Sequence, residues 1–230
     1  MNKILNLRIG KHQIGRFRFL LGSLMMIIGL RPVLGEWMAG RIWADVFTDI
    51  FFVCALMSGL HAVSGQTKPL RFALFLACVI IILIPLHYTL KIHALDRLQL
   101  ALSAVFLVQM LVMILIHIVT EEDVTSDLIM AAACAYILLG LVWANAYYLL
   151  EISHPNSFKA SENMGDDIWN FYYYSFVTLT TVGYGDITAI TKPAQALSML
   201  EAVSGQLYLA IMISRLVGLH ASQIKNGKGK

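Results

Sequence analysis

Charge is scarce in this chain. Asp, Glu, Lys and Arg make up 13% of its 230 residues, against about 25% in an ordinary soluble domain. That excludes a soluble domain with a charged shell. Cysteine is scarce too. Cys54, Cys78 and Cys134 lie apart inside apolar runs, with no C-x-x-C, so neither a disulfide framework nor a metal site is expected. Paired acids, a nucleophile–base motif and a metal cluster are all missing, which speaks against an enzyme. The formal net charge of +3 is too small to point to nucleic acid. There is no internal repeat and no low-complexity stretch.

Apolar residues are abundant, at 58% of the chain, and they fall in long runs. Six runs approach the roughly 20 residues that a membrane span requires. They lie near 17–37, 42–63, 70–90, 98–118, 128–150 and 193–219. The first is the weakest, because Arg31 and Pro32 interrupt it and leave its outer part for the interface. Its basic leader (Lys3, Arg8, Lys11, Arg16 and Arg18) is long for a signal peptide, and no A-x-A site follows, so an uncleaved span is expected. With the N-terminus inside, eleven Lys and Arg fall on the cytoplasmic side and six outside, as the positive-inside rule requires. An even number of spans puts both termini in the cytoplasm.

The segment 151–192 is too long for a turn and too aromatic for a solvated loop. Turn residues Ser153 to Ser157 open it. Then comes D-D-I-W-N-F-Y-Y-Y-S-F-V-T-L, with Asp166 or Asp167 able to cap a helix. A short re-entrant helix over 168–179 is predicted, since backbone at membrane depth is tolerated where protein or a water-filled path surrounds it.

Residues 178–186 read T-L-T-T-V-G-Y-G-D. Thr181-Val182-Gly183-Tyr184-Gly185 resembles the selectivity filter of potassium channels. In that family, rings of carbonyl oxygens replace the water shell of the ion. Carbonyls point the same way along a strand when ordinary and left-handed backbone alternate, and Gly183 and Gly185 allow the left-handed state. The resemblance implies K+ binding at Thr181, Val182, Gly183 and Tyr184, four subunits around an axis, and a pore helix whose negative C-terminal dipole end favours a cation. It extends through Ser175, Thr178 and Thr180. Tyr173 stands where many potassium channels place a Trp that holds the aspartate after the filter, here Asp186. Val177 stands where some bacterial channels carry a buried Glu.

Gly205 stands eleven residues after Ala194, where pore-lining helices of the family often have a hinge. It serves equally as a site of close helix packing. Counting from it, Gln206, Leu209, Ile213 and Val217 would line the cavity and gate. Glu201, one turn earlier, is an acid at membrane depth, open to a functional or a structural role. Six spans with the pore between the last two resemble the voltage-gated-like superfamily, whose sensors carry Arg or Lys every third position of the fourth span. Here no Arg or Lys lies between Leu98 and His117, with Lys91 and Arg97 at the outer edge. His61, His87, His93 and His117 are expected to be passive.

The sequence therefore implies an all-α membrane protein with six transmembrane helices and a re-entrant pore helix and filter between the fifth and sixth. Its expected parts are a basic N-terminus (1–18), a four-helix sensor-like domain (19–118), a cytoplasmic linker (119–127), a pore domain (128–219) and a short flexible tail (220–230). The expected function is passive K+ conduction as a homotetramer in the cell membrane, without steep voltage gating and of prokaryotic type. The alternative is a non-conducting regulatory subunit. No cofactor is expected beyond K+ as the permeant ion.

Overall fold

A computed structural model describes residues 16–37, 53, 57, 67–90, 93–160 and 168–227. In chain order these form α1 (Arg16–Trp37), α2 (Thr67–Leu90), α3 (His93–Thr120), α4 (Ser126–Ser153), β1 (Phe158–Ala160), α5 (Ile168–Leu179), β2 (Ile187–Ala189) and α6 (Lys192–Gly227). Among the described residues, Arg97–Thr120, Ser126–Ser153 and Lys192–Ile224 are long and apolar enough to cross a membrane, and Phe17–Met26 and Leu70–Ile84 are shorter apolar stretches. Five of the six expected spans coincide with α1, α2, α3, α4 and α6. The second, with Cys54, Asp45 and Asp49, lies outside the described residues apart from Val53 and Met57. So do Asp166 and Asp167.

The expected first span, 17–37, coincides with α1, whose backbone stays helical through Arg31 and Pro32 to Trp37. Proline keeps a helical φ and removes one ladder bond, a loss that neighbours in a bundle can absorb. The expected flexible tail is helical as far as Gly227. Ala221 to Lys225 contain no Pro or Gly, and Gln223 Nε2 donates to Asp123 Oδ1 at 2.9 Å, which ties this stretch to the rest of the chain.

The core is organised around α4, which packs against α1, α3, α5 and α6, while α2 packs on α3. Its start is capped: Thr125 Oγ1 accepts from the Leu128 amide at 3.2 Å, and Asp127 lies in the first turn, where the dipole favours an acid. Ala131, Ala132, Ala135 and Ala144 are buried along it. Such small residues let helix backbones approach, which is how helices gain packing energy when lipid offers no hydrophobic drive.

Contacts fix the directions. Tyr147 meets the ring of Tyr174 at 5.1 Å, Gly140 O accepts from Ser175 Oγ at 2.7 Å, and Leu179 O accepts from Tyr136 Oη at 3.2 Å. Numbers fall along α4 as they rise along α5, so these helices are antiparallel. Tyr174 meets Ser198, Ser175 meets Glu201 and Leu179 meets Gly205, so α5 and α6 run parallel. Two parallel helices in succession need a return segment. Residues 180–186 provide it, and β2 then pairs antiparallel with β1, Phe158 opposite Ala189. Lengths agree: twelve helical residues span about 18 Å, and seven extended ones reach at most about 23 Å.

Candidate ion-conduction site

The return segment starts at the C-terminus of α5, where the helix ends in a Schellman motif. The Thr181 amide donates to Thr178 O at 2.9 Å and the Val182 amide to Val177 O at 3.0 Å, the paired bonds of that cap. The motif needs a left-handed residue, and Thr181 supplies it with φ 59°. Glycine normally fills this position. A β-branched residue there is a true outlier, at a cost on the order of 1–3 kcal/mol. Gly183 (φ 59°) and Gly185 (φ 78°) are also left-handed, whereas Val182 and Tyr184 are not. Left-handed backbone therefore recurs at every second residue from Thr181 to Gly185. Sequence reasoning placed it only at the two glycines. The missed signal was the helix end itself, which needs a left-handed residue two positions before Gly183.

The side chains of Val182 and Tyr184 are 52% and 70% exposed, so the segment lies on the surface of the chain. Thr180 is exposed, and its hydroxyl donates back to Phe176 O at 2.6 Å. Further along, Tyr173 Oη donates to Asp186 Oδ2 at 2.7 Å. The ring of Tyr173 also lies parallel to that of Tyr184, centroids 6.5 Å apart. Asp186 Oδ1 accepts from the Ile187 amide at 3.1 Å. The Tyr173 bond, helped by backbone amides, holds the Asp186 carboxyl below its usual range.

Beyond Asp186 the chain is anchored by β1 and by the turn before it. Glu151, near the end of α4, accepts from the amides of Asn156 at 2.8 Å, Ser157 at 2.9 Å and Phe158 at 3.2 Å. Ser157 O in turn accepts from the Ile190 amide at 2.8 Å. The β1–β2 ladder had no sequence signal beyond turn composition, because it pairs distant residues such as Phe158 with Ala189, and the acid clamp, though local, uses an acid like any other at a helix end.

On α6 the residues expected at cavity and gate divide. Gln206, Ile213 and Val217 are exposed and Leu209 is half-buried, on one face at helical spacing. Gly205 is buried against α5. A Cβ there would come 2.7 Å from Leu179 Cδ1 and 2.9 Å from Leu179 O, and α6 continues through it without a break. Of the two readings of Gly205, this geometry is the packing one. Glu201 is fully buried. Its Oε2 accepts from Tyr147 Oη and its Oε1 meets Ser175 Oγ. Trp143 Nε1 donates to Ser204 Oγ at 3.1 Å and Tyr208 Oη to Ala132 O at 2.6 Å, pinning α6 to α4.

Residues 135–219 match the family model described as "Ion channel". The matched stretch begins within α4, includes α5 and the return segment, and ends within α6. "Potassium voltage-gated channel subfamily A member 10" of Mus musculus is similar at 30% identity over 83 residues, covering 36% of this chain and 15% of that protein. The proteins of the same name from Homo sapiens and Gallus gallus are similar at the same identity over the same length. This chain thus corresponds to a small part of those relatives. No solved structure matches it. The chain thus contains a stretch similar to ion channels within a mostly helical fold, and three helices among the described residues are long and apolar enough to cross a membrane.

Proposed function

We propose that this chain is one subunit of a potassium-selective homotetrameric channel that lies in the cell membrane with both termini in the cytoplasm. One observation carries the reading: left-handed backbone at Thr181, Gly183 and Gly185, alternating with Val182 and Tyr184, in an exposed segment returning from a helix C-terminus. Such alternation supports a column of carbonyls facing one side. Four copies around an axis would close it into rings able to replace the hydration shell of K+. The Thr181 hydroxyl adds an oxygen at the inner end of the column. The C-terminus of α5, with its partial negative charge, stabilises a cation below the column. Gln206, Leu209, Ile213 and Val217 would then line the path to the cytoplasm.

Asp186, Tyr173, Thr178 and Thr180 hold this segment rather than contact the ion. The parallel pair α5 and α6, with the return between them, is a re-entrant loop when placed in a bilayer. The similarity of 135–219 to ion channels and to a potassium channel adds support. The test is flux from liposomes containing the purified full chain. Potassium flux with reversal potentials that exclude sodium is expected. Equal permeability to the two ions, or only monomers and dimers on cross-linking in native-like lipid, would overturn the reading.

A further inference from the structure

Glu201 is buried where α4, α5 and α6 meet, and conduction along 181–185 gives its carboxyl no task. The surroundings allow its protons to be counted. Ser175 Oγ lies 2.7 Å from Gly140 O and within hydrogen-bond distance of Glu201 Oε1. Tyr147 Oη donates to Glu201 Oε2. Two oxygens this close repel unless a proton lies between them. A serine hydroxyl has one proton and a backbone carbonyl none. The Ser175–Gly140 contact can therefore be bridged only by the serine proton, and the Ser175–Glu201 contact must take its proton from the carboxyl.

Charge leads to the same answer. The titratable groups facing Glu201 are Tyr147 and Tyr136 from α4, and Tyr174 from α5 packs on Tyr147. All are phenols, and among the described residues Glu201 forms no ion pair. An unpaired carboxylate at this depth is costly, and a neutral carboxyl is not.

We infer that Glu201 is a protonated positioning residue for the conduction segment: its O–H donates to Ser175, whose O–H donates to Gly140 O, and Tyr147 completes the set. This chain of donors joins α6 to α5 and α5 to α4. It acts one turn before the contact of Gly205 with Leu179, from which the segment 180–186 departs. Removing the proton leaves Ser175 with two acceptors and puts a bare charge between three helices, so α5 loses its fixed place. The inference rests on the reading of 181–185 as a filter, and a test that does not use conduction separates the two.

The first arm is infrared difference spectroscopy of the purified full chain against Glu201→Gln. A protonated-carboxyl stretch present in the wild type at neutral pH and removed by that substitution is expected. Its absence overturns the inference whether or not the protein conducts. The second arm is potassium flux against pH. Glutamine keeps one donor and one acceptor, so Glu201→Gln should conduct within about two-fold of wild type at neutral pH. Wild-type flux should fall at alkaline pH, as the carboxyl loses its proton, and Glu201→Gln should stay level. Tyr147→Phe should shift the wild-type fall to higher pH, since it removes a donor that stabilises the ionised carboxyl. Superimposed profiles for wild type and Glu201→Gln overturn the inference. If neither conducts, the filter reading fails and the infrared band still decides the protonation.

Discussion

Gly205 of α6 lies against the carbonyl oxygen of Leu179, the last residue of α5, so closely that a Cβ would sit 2.9 Å from it. The obstacle is backbone, which cannot swing aside as a side chain would. Alanine at this position should gain up to about 1 kcal/mol in helix propensity and lose about 1–3 kcal/mol to overpacking. Gly205→Ala is therefore expected to lower the thermal stability of the assembled protein and to reduce conduction by displacing the start of the 180–186 segment. A hinge role predicts the opposite sign for stability, because a stiffer helix without a clash is a more stable one. Thermal unfolding in nanodiscs reads that sign directly.

Acid sensitivity should come from the outer end of the same segment. Tyr173 donates to Asp186, and this bond, with backbone amides, holds the carboxyl below its ordinary range. The sign follows from linkage. A depressed value means the ionised form stabilises the fold. That contribution is complete above the usual carboxylate range and disappears as external pH falls through the lowered value. Tyr173→Phe removes the main cause, so Asp186 should titrate closer to its usual range. The acid-side loss of current should then begin at a higher pH than in wild type. Identical acid profiles for the two proteins would rule out this role for the bond.

Periodicity and motif made the helices and the 181–185 segment legible, because both are local. The α5 boundaries followed from an apolar, aromatic run ending in T-T-V-G. The partners that hold the segment in place were less accessible. Tyr173 and Asp186 could be paired by resemblance, since both flank the motif. Glu151 clamps amides five to seven residues ahead of it, and nothing in its sequence context distinguishes it from any acid at a helix end. Glu201 stood out as an acid at membrane depth, yet its partners come from positions 26 and 54 residues away. The motif marks Thr181 as an oxygen ligand and not as a left-handed residue, because propensity alone assigns that state to glycine.

Arg215 connects the two halves of the chain. Its Nε donates to Ile118 O at 3.2 Å, and its Nη2 to Val119 O at 2.7 Å and Glu121 O at 2.9 Å. Ile118 and Val119 are in the last turn of α3, whose carbonyls have no helical partner of their own, and a cation there also suits the dipole. Arg215→Gln should destabilise the protein by on the order of 1–2 kcal/mol. Arg97→Gln, an exposed arginine at the other end of α3, should change stability by under about 0.5 kcal/mol. Equal effects in thermal unfolding would show that the Arg215 contacts contribute nothing particular.

The last prediction concerns voltage. A mobile charge that crosses the whole field contributes about 2.3 kcal/mol per 100 mV, and steep sensors use three or four charges in each subunit. In α3 no Arg or Lys occurs between Leu98 and Ile116. The face that a sensor would present away from α4 carries Val105, Val108, Val112 and Ile116, all exposed and all apolar. Gln99 and Gln109 are uncharged and carry nothing across the field. Arg97 opens the apolar stretch Arg97–Thr120, at its edge, where a charge senses only a fraction of the potential. Lys91 lies outside the described residues and precedes α3. The conductance–voltage relation should accordingly be shallow. Any residual slope should come from ions moving within 181–185, and should survive Arg97→Gln combined with Lys91→Gln. The deciding measurement is the limiting slope of open probability in planar bilayers. A slope worth about ten charges per channel, on the scale of strong sensors, and abolished by those two substitutions, would show that α3 moves charge after all.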